Sequence, residues 1–448
     1  MNSFAALSIT ALGKRIRENE TTSEAITADC LERIAEGNAQ LNAFITVLGD
    51  QALADARDAD REIRGGRDRG PLHGIPISLK DLIDLAGTPT TAASRVRQGS
   101  IARHDALVVT HLKSAGAVLI GKCNLHEFAY GTTSDDSAFG PVRHPLDPTR
   151  VAGGSSGGSA VAVATGMSVA SVGTDTGGSI RIPSALCGVV GLKPSHHEVS
   201  CAGVVPLSWS LDQVGPITRC VDDARLLFEV MRGKSAPLLH DGPARLRGRL
   251  GVPRSYFLDV LDNDVRTQFE DAIRRLQTAG ATIDDVWIPH AADTPAVYLH
   301  IQAPEAAAYH APAIERHPEA YSPAVRLRLE AGRYLLAEDY VRAQRGRDVL
   351  RREVDAALEG HAALVLPTVA IPPPPIGAAE VEVSGSKEAV RGLMLRLTQL
   401  FNLTGHPVIS IPSGAHAQGF PSGVQLIGPA GGTERLLELA RACEQQLR

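Results

Sequence analysis

Apolar and polar positions alternate along this chain with two periods. Ile26, Cys30, Leu31 and Ile34 share one face of a helix that Thr22 or Ser23 can cap and that ends near Gly37-Asn38. A second helix, Asp50 to Arg64, interleaves Asp with Arg as a solvated face and stops at Gly65-Gly66. Short apolar runs read as buried strands: Ile75 to Leu79, Val118 to Ile120, Ala363 to Val369, Val408 to Ile411 and Gly423 to Ile427. Leu107 onward is helical up to a turn at Gly116, so this region has a βαβ rhythm and belongs on a mainly parallel sheet. Leu211 to Pro216 reads as a turn and Val221 to Arg232 as a helix. Asp262 to about Gly360 is mostly helical, and Thr433 to Leu447 closes the chain with Leu436, Ala440, Cys443 and Leu447 on one side.

The stretch Val151 to Leu192 breaks both periods. It holds only two charged residues, Asp175 and Arg181, among recurrent glycine and serine, so most of it must run inside the molecule. Two serine-bearing glycine loops lie in it, Gly153 to Gly158 and Gly177 to Ser179. A helix over Val161 to Ala164 leaves the first, and a strand over Ser168 to Gly173 enters the second. Such loops either make tight turns in a packed core or turn several N–H groups toward one point, where an anion or developing oxyanion can sit.

Composition narrows the class. Hydrophobic residues make up 44% and charged residues 21% of 448, with net charge −5, which gives no reason to expect nucleic acid or an anionic membrane as partner. The N-terminal residues become charged before an apolar signal-peptide core forms, and no apolar run approaches a membrane span, so a cytoplasmic protein is expected. Six cysteines at 30, 123, 187, 201, 220 and 443 show no Cys-x-x-Cys and read as reduced, packed thiols. Fifteen histidines make no His-Glu-x-x-His or other ligand spacing, so neither metal nor cofactor is expected. A Pro/Gly/Arg-rich connection between Lys234 and Arg249 is the best candidate for a subdomain boundary.

Lys80 stands at the end of the Ile75 to Leu79 strand. It is either an ion-paired or snorkelling lysine or a desolvated one whose pKa falls far enough to act as a base. Gly154-Ser155-Ser156-Gly157-Gly158 also fits Gly-x-Ser-x-Gly, which would make Ser156 a nucleophile and call on His196 or His197. A phosphate loop would need Gly-Lys-Ser/Thr, which is missing.

The runs GGSSGGSAVAVATG, GTDTGGSIRIPSALCGVVGLKP and GIPISLKD resemble the amidase signature family of serine hydrolases. NLHEFAYGTTSDDSAFGPVRHPLD, SLDQVGP, LTGHPVISIP and PSGVQLIGP extend the likeness over most of the chain except about 234 to 360. The resemblance implies one α/β domain over residues 1–448, a twisted mixed sheet wrapped in helices, with the variable, mostly helical 234–360 segment covering the pocket. It implies a Ser–cis-Ser–Lys triad in which Ser179 is the nucleophile, Ser155 the bridging serine and Lys80 the base, and an oxyanion hole from the amides of Thr176, Gly177, Gly178 and Ser179. Asp175 and Arg181 flank that loop as anchors. Ala129, Tyr130, Gly131 and Thr132 would line the acyl pocket, small residues at 129 and 131 leaving space and Tyr130 stacking on a substrate ring or filling core.

The implied activity is hydrolysis of aryl or alkyl amides through an acyl-enzyme. Esters and carbamates are further substrates of the same chemistry, and the chain would work as a monomer or homodimer. Two alternatives stand beside it: the glutaminase component of a tRNA-dependent amidotransferase, against which Lys193-Pro194-Ser195-His196-His197 departs from the Lys-Pro-Thr-Tyr-Gly typical of that component, and a non-catalytic binding module on the same scaffold.

Overall fold

A computed structural model describes residues 4–235, 246 and 248–447. Eleven strands form one mixed sheet. In chain order they are β1 (Phe44–Val47), β2 (Pro76–Lys80), β3 (Val118–Cys123), β4 (Ala170–Asp175), β5 (Val190–Lys193), β6 (Gln213–Thr218), β7 (Arg249–Pro253), β8 (Thr282–Val286), β9 (Ala363–Pro367), β12 (Val408–Ala415) and β13 (Pro421–Ile427); β10 (Glu380–Val383) and β11 (Ser386–Ala389) pair separately as a hairpin. The order across the sheet is β1-β3-β2-β4-β6-β5-β12-β13-β9-β7-β8.

The expected parallel region is real but short. β3, β2 and β4 run parallel, as do β9, β7 and β8, while every other neighbouring pair is antiparallel. Strands β2 to β6 and β9 are buried along their whole length, which is why they read as apolar or small-residue runs rather than alternating ones.

Several boundaries move. The helix capped by Thr22, whose Oγ1 accepts from the Ala25 amide at 3.0 Å, runs through Gly37-Asn38 and ends at Leu41, with Asn42 in the left-handed conformation. The helix after the first serine loop starts at Gly157, four residues early, and β4 lies two residues later than expected. Most of the Leu211 to Pro216 turn is instead strand β6, whose Gly215-Pro216 sits opposite Gly173-Val172 of β4. The connection expected between Lys234 and Arg249 falls largely outside the described residues. All six cysteines are free, and two, Cys201 and Cys220, are only partly buried. Among the described residues no helix is long and apolar enough to cross a membrane.

Candidate active site

β2 and β4 are parallel neighbours, with Leu79 opposite Val172, so their C-terminal ends deliver Lys80 and Thr174 to the same place. Lys80 is 0% exposed. Its Nζ donates to Ser155 Oγ at 2.8 Å and to Thr174 Oγ1 at 2.9 Å. Both partners are neutral hydroxyls. Burial lowers the Lys80 pKa to about 7, against the opposing pull of the Asp175 and Asp212 carboxylates.

Ser155 follows a cis peptide from Gly154, and its carbonyl accepts from the His126 amide and Ser134 Oγ. Ser179, 6% exposed, rests its carbonyl on the Ser156 amide at 3.1 Å, against the peptide that joins Ser155 to Ser156. Among the described residues its hydroxyl has no hydrogen-bond partner. Ser156 is different: its Oγ donates to the Thr174 carbonyl at 3.1 Å and accepts from the Thr174 amide at 3.4 Å, which commits that side chain to the strand. His196 and His197, the histidines that a Ser156 nucleophile would need, stack on each other and line a separate cleft. The Gly-x-Ser-x-Gly reading is therefore set aside.

The Thr176–Ser179 loop is held by a buried ion pair. Arg181 Nε and Nη2 each lie 3.0 Å from an Asp175 carboxylate oxygen, and both residues are fully buried. Arg181 also donates to the Thr398 carbonyl, Gln425 Oε1 and Asn402 Oδ1. The Asp175 carboxylate accepts in turn from the amides of Gly178 and Ile180 and from Asn402 Nδ2. The guanidinium beside it and these donors hold its carboxyl well below the usual range despite burial.

One expectation changes here. The Gly178 amide donates to Asp175 Oδ1 at 2.8 Å, so it turns away from the loop's open side. Among the described residues the amides of Thr176, Gly177 and Ser179 donate to no protein group and remain available for an oxyanion. Gly178 has a φ of 134°, and a Cβ there would come within 2.4 Å of Thr398 Oγ1, so only glycine fits.

The family model for Amidase matches residues 25–437. An amidase of Pseudomonas putida is 40% identical over 94% of this chain and 92% of its own length. A glutamyl-tRNA(Gln) amidotransferase subunit of Trichlorobacter lovleyi is 36% identical over 97% of this chain and 96% of its own. A crystal structure of an amidase superposes with a TM-score of 0.93 at 39% identity, covering 99% of this chain and 100% of the other. This chain belongs to the amidase family. It is an amide-hydrolysing enzyme of the amidase signature type.

A cavity of about 440 Å³, lined by none of Lys80, Ser155 and Ser179, lies on the far side of the residues that pack on Gly177. Pro295, Tyr298, Leu299 and Gln302 line it from the Thr294–Arg316 helix, Leu393 and Leu395 from the facing side, and Tyr256 from the end. Tyr298 and Leu395 pack directly on Gly177.

The four residues expected to line the acyl pocket are all buried. Tyr130 is buried, and the guanidiniums of Arg328 and Arg391 each lie 5.7 Å from its ring centre. Of the two roles expected for it, filling core is the one its place in the buried apolar cluster fits. The space expected at Gly131 is already taken: a Cβ there would lie 2.1 Å from the His126 ring. Ala129 and Thr132 are buried and, like Tyr130 and Gly131, do not line the 440 Å³ cavity; Gln302 and Arg391, which meet Tyr130, do.

Sequence reasoning missed three supports. Thr174 is the second partner of Lys80. Asp212 accepts from Thr176 Oγ1 at 2.6 Å and from the Leu207 and Ser208 amides, and burial pushes its pKa up to about 6. Asn402 spans Asp175 and Arg181. Asp212 lies within SLDQVGP and could have been found there, whereas nothing around Asn402 marks it.

Proposed function

We propose that this enzyme cleaves amides with Ser179 as nucleophile, Ser155 as proton bridge and Lys80 as base. The observation that carries the reading is the Lys80 amine, wholly buried, on two hydroxyls and on no carboxylate. An amine in that setting can be neutral near pH 7 and accept a proton. Ser179 Oγ attacks the amide carbon, its proton passes to Ser155 Oγ, and the Ser155 proton passes to Lys80 Nζ. The oxyanion that forms meets the free amides of Thr176, Gly177 and Ser179. As the C–N bond breaks, the proton returns through Ser155 to the departing nitrogen, leaving an acyl ester on Ser179. Water attacks that ester by the same relay and releases the acid.

The apolar part of the cavity wall, Tyr256, Pro295, Tyr298, Leu299, Leu393 and Leu395, beside which Glu388, Arg391 and Arg396 also line the space, supports substrates with an aryl or branched alkyl group near the scissile amide. Esters and carbamates of the same shape pass through the same acyl-enzyme. Much of this wall belongs to residues 234–360, in keeping with that segment as the pocket cover. A glutaminase reading is favoured by 36% identity to an amidotransferase subunit over nearly the full length. The test is a panel of p-nitroanilide, primary amide, ester and carbamate substrates run beside glutamine. Faster turnover of the aryl amides supports the first reading, and turnover of glutamine alone replaces it with the second.

A further inference from the structure

A cleft of about 730 Å³ opens away from Lys80 and Ser179, where neither residue lines it. Arg347 and Arg351 come into it from one face of the Ala337–Leu358 helix, four residues apart. Each guanidinium uses its Nε to satisfy a carbonyl at the end of the Gln399–Thr404 helix, Arg347 on Leu403 and Arg351 on Thr404; Arg347 Nη2 takes the Ser210 carbonyl. Capping those carbonyls therefore accounts for only part of the donors. Arg347 Nη1 and both Nη atoms of Arg351 have no protein partner among the described residues. His196 Nε2 is likewise buried without one, and the paired rings of His196 and His197 stand 4.0 Å apart beside it.

Arg347 and Arg351 supply the cations of the cleft. Burial and then the nearby His197, Arg347, Lys193 and Arg351 drive the His196 pKa down to about 3, as expected where a second cation is unwelcome. Two carboxylates border the space. Glu198 is committed to the Ser195 amide and Thr433 Oγ1, and Asp348 is exposed, where solvent screens it, while Arg347 is buried. Trp209, 54% exposed, supplies a flat apolar face on the rim.

We propose that this cleft is a second ligand site, which takes a small aromatic phosphate with its oxygens on the outer nitrogens of Arg347 and Arg351 and its ring on Trp209. Arg351, with both Nη atoms free, and Arg347, with its Nη1, suit a tetrahedral oxyanion, and the indole suits the ring.

The chain has two tryptophans, so a Trp287→Phe background isolates the emission of Trp209. Phenyl phosphate titrated into that protein should change the emission saturably, and inorganic phosphate should compete. Arg351→Gln should weaken binding by about ten-fold or more, with Arg351→Lys, which keeps the charge and guards against a folding artefact, falling between. A linear response, one reproduced by sodium chloride at equal ionic strength, one matched by benzyl alcohol, or equal affinity in all three proteins would overturn the proposal.

Discussion

Lys80 and Asp81 are neighbours in sequence, yet their side chains do not pair with each other. Lys80 Nζ reaches Ser155 and Thr174, while Asp81 Oδ1 lies 3.2 Å from Lys122 Nζ and Asp81 Oδ2 accepts from the Thr91 amide and hydroxyl. The strand end sends consecutive side chains in different directions, and a second buried lysine takes the carboxylate that would otherwise recharge the first. Activity should therefore need the neutral amine, so kcat/KM should rise with pH through about 7 and level off above it. A pH–rate profile checks this, and a profile flat from pH 5.5 to 9 contradicts it.

The same amine couples to stability. Its folded pKa of about 7 lies below the ordinary 10.5, so between those values the unfolded chain binds a proton that the folded one excludes. Stability from this group therefore rises with pH across that window and is lowest below it. Lys80→Met should be inactive, and thermal unfolding should show it gaining on the parent as pH falls from 10 to 7.

Two adjacent serines should behave differently. Ser179→Ala and Ser155→Ala should each cut turnover by about a thousand-fold or more while the circular dichroism spectrum is unchanged. Ser156→Ala removes a buried hydrogen bond to Thr174 and should cost about 1 kcal/mol of stability with far smaller loss of turnover. Equal loss at Ser156 and Ser179 would restore the rejected nucleophile.

Arg181→Met strands the Asp175 carboxylate in the interior and should cost about 3 to 5 kcal/mol, read by urea unfolding. Asn402→Ala removes contacts to both members of the pair and should destabilise in the same direction by less.

Gly178→Ala should lower kcat about a hundred-fold or more with a smaller effect on KM, since the added methyl meets Thr398 and shifts the loop whose neighbouring amides are proposed to hold the oxyanion. Steady-state kinetics on one aryl amide separates the two constants.

The glycine/serine loops are legible because chemistry there is local: Ser155, Asp175, Ser179 and Arg181 all fall within about thirty residues whose composition differs from the rest. β6 reads as a turn because Asp212, Gly215 and Pro216 are turn formers, and pairing with both β4 and β5 overrides that preference. The helix over Ser23–Leu41 continues past Gly37-Asn38 for a similar reason: Leu41 is buried, and Asn38 holds both the amide and the carbonyl of Phe44. Edge strands β1 and β8, and β7 between β8 and β9, leave little trace, and β8 is largely solvated. Asn402 and the wall at Tyr298 and Leu395 act through contacts more than a hundred residues distant from the loop they support, a separation no local pattern records.

That separation governs when the enzyme becomes competent during synthesis. The clamp on Arg181 draws on Thr398, Asn402 and Gln425, so a ribosome must emit the chain through Gln425 before the loop at 176–179 can set. A nascent chain that has emerged past Ser179 but not yet past Gln425 lacks the partners that hold Arg181 and the loop before it.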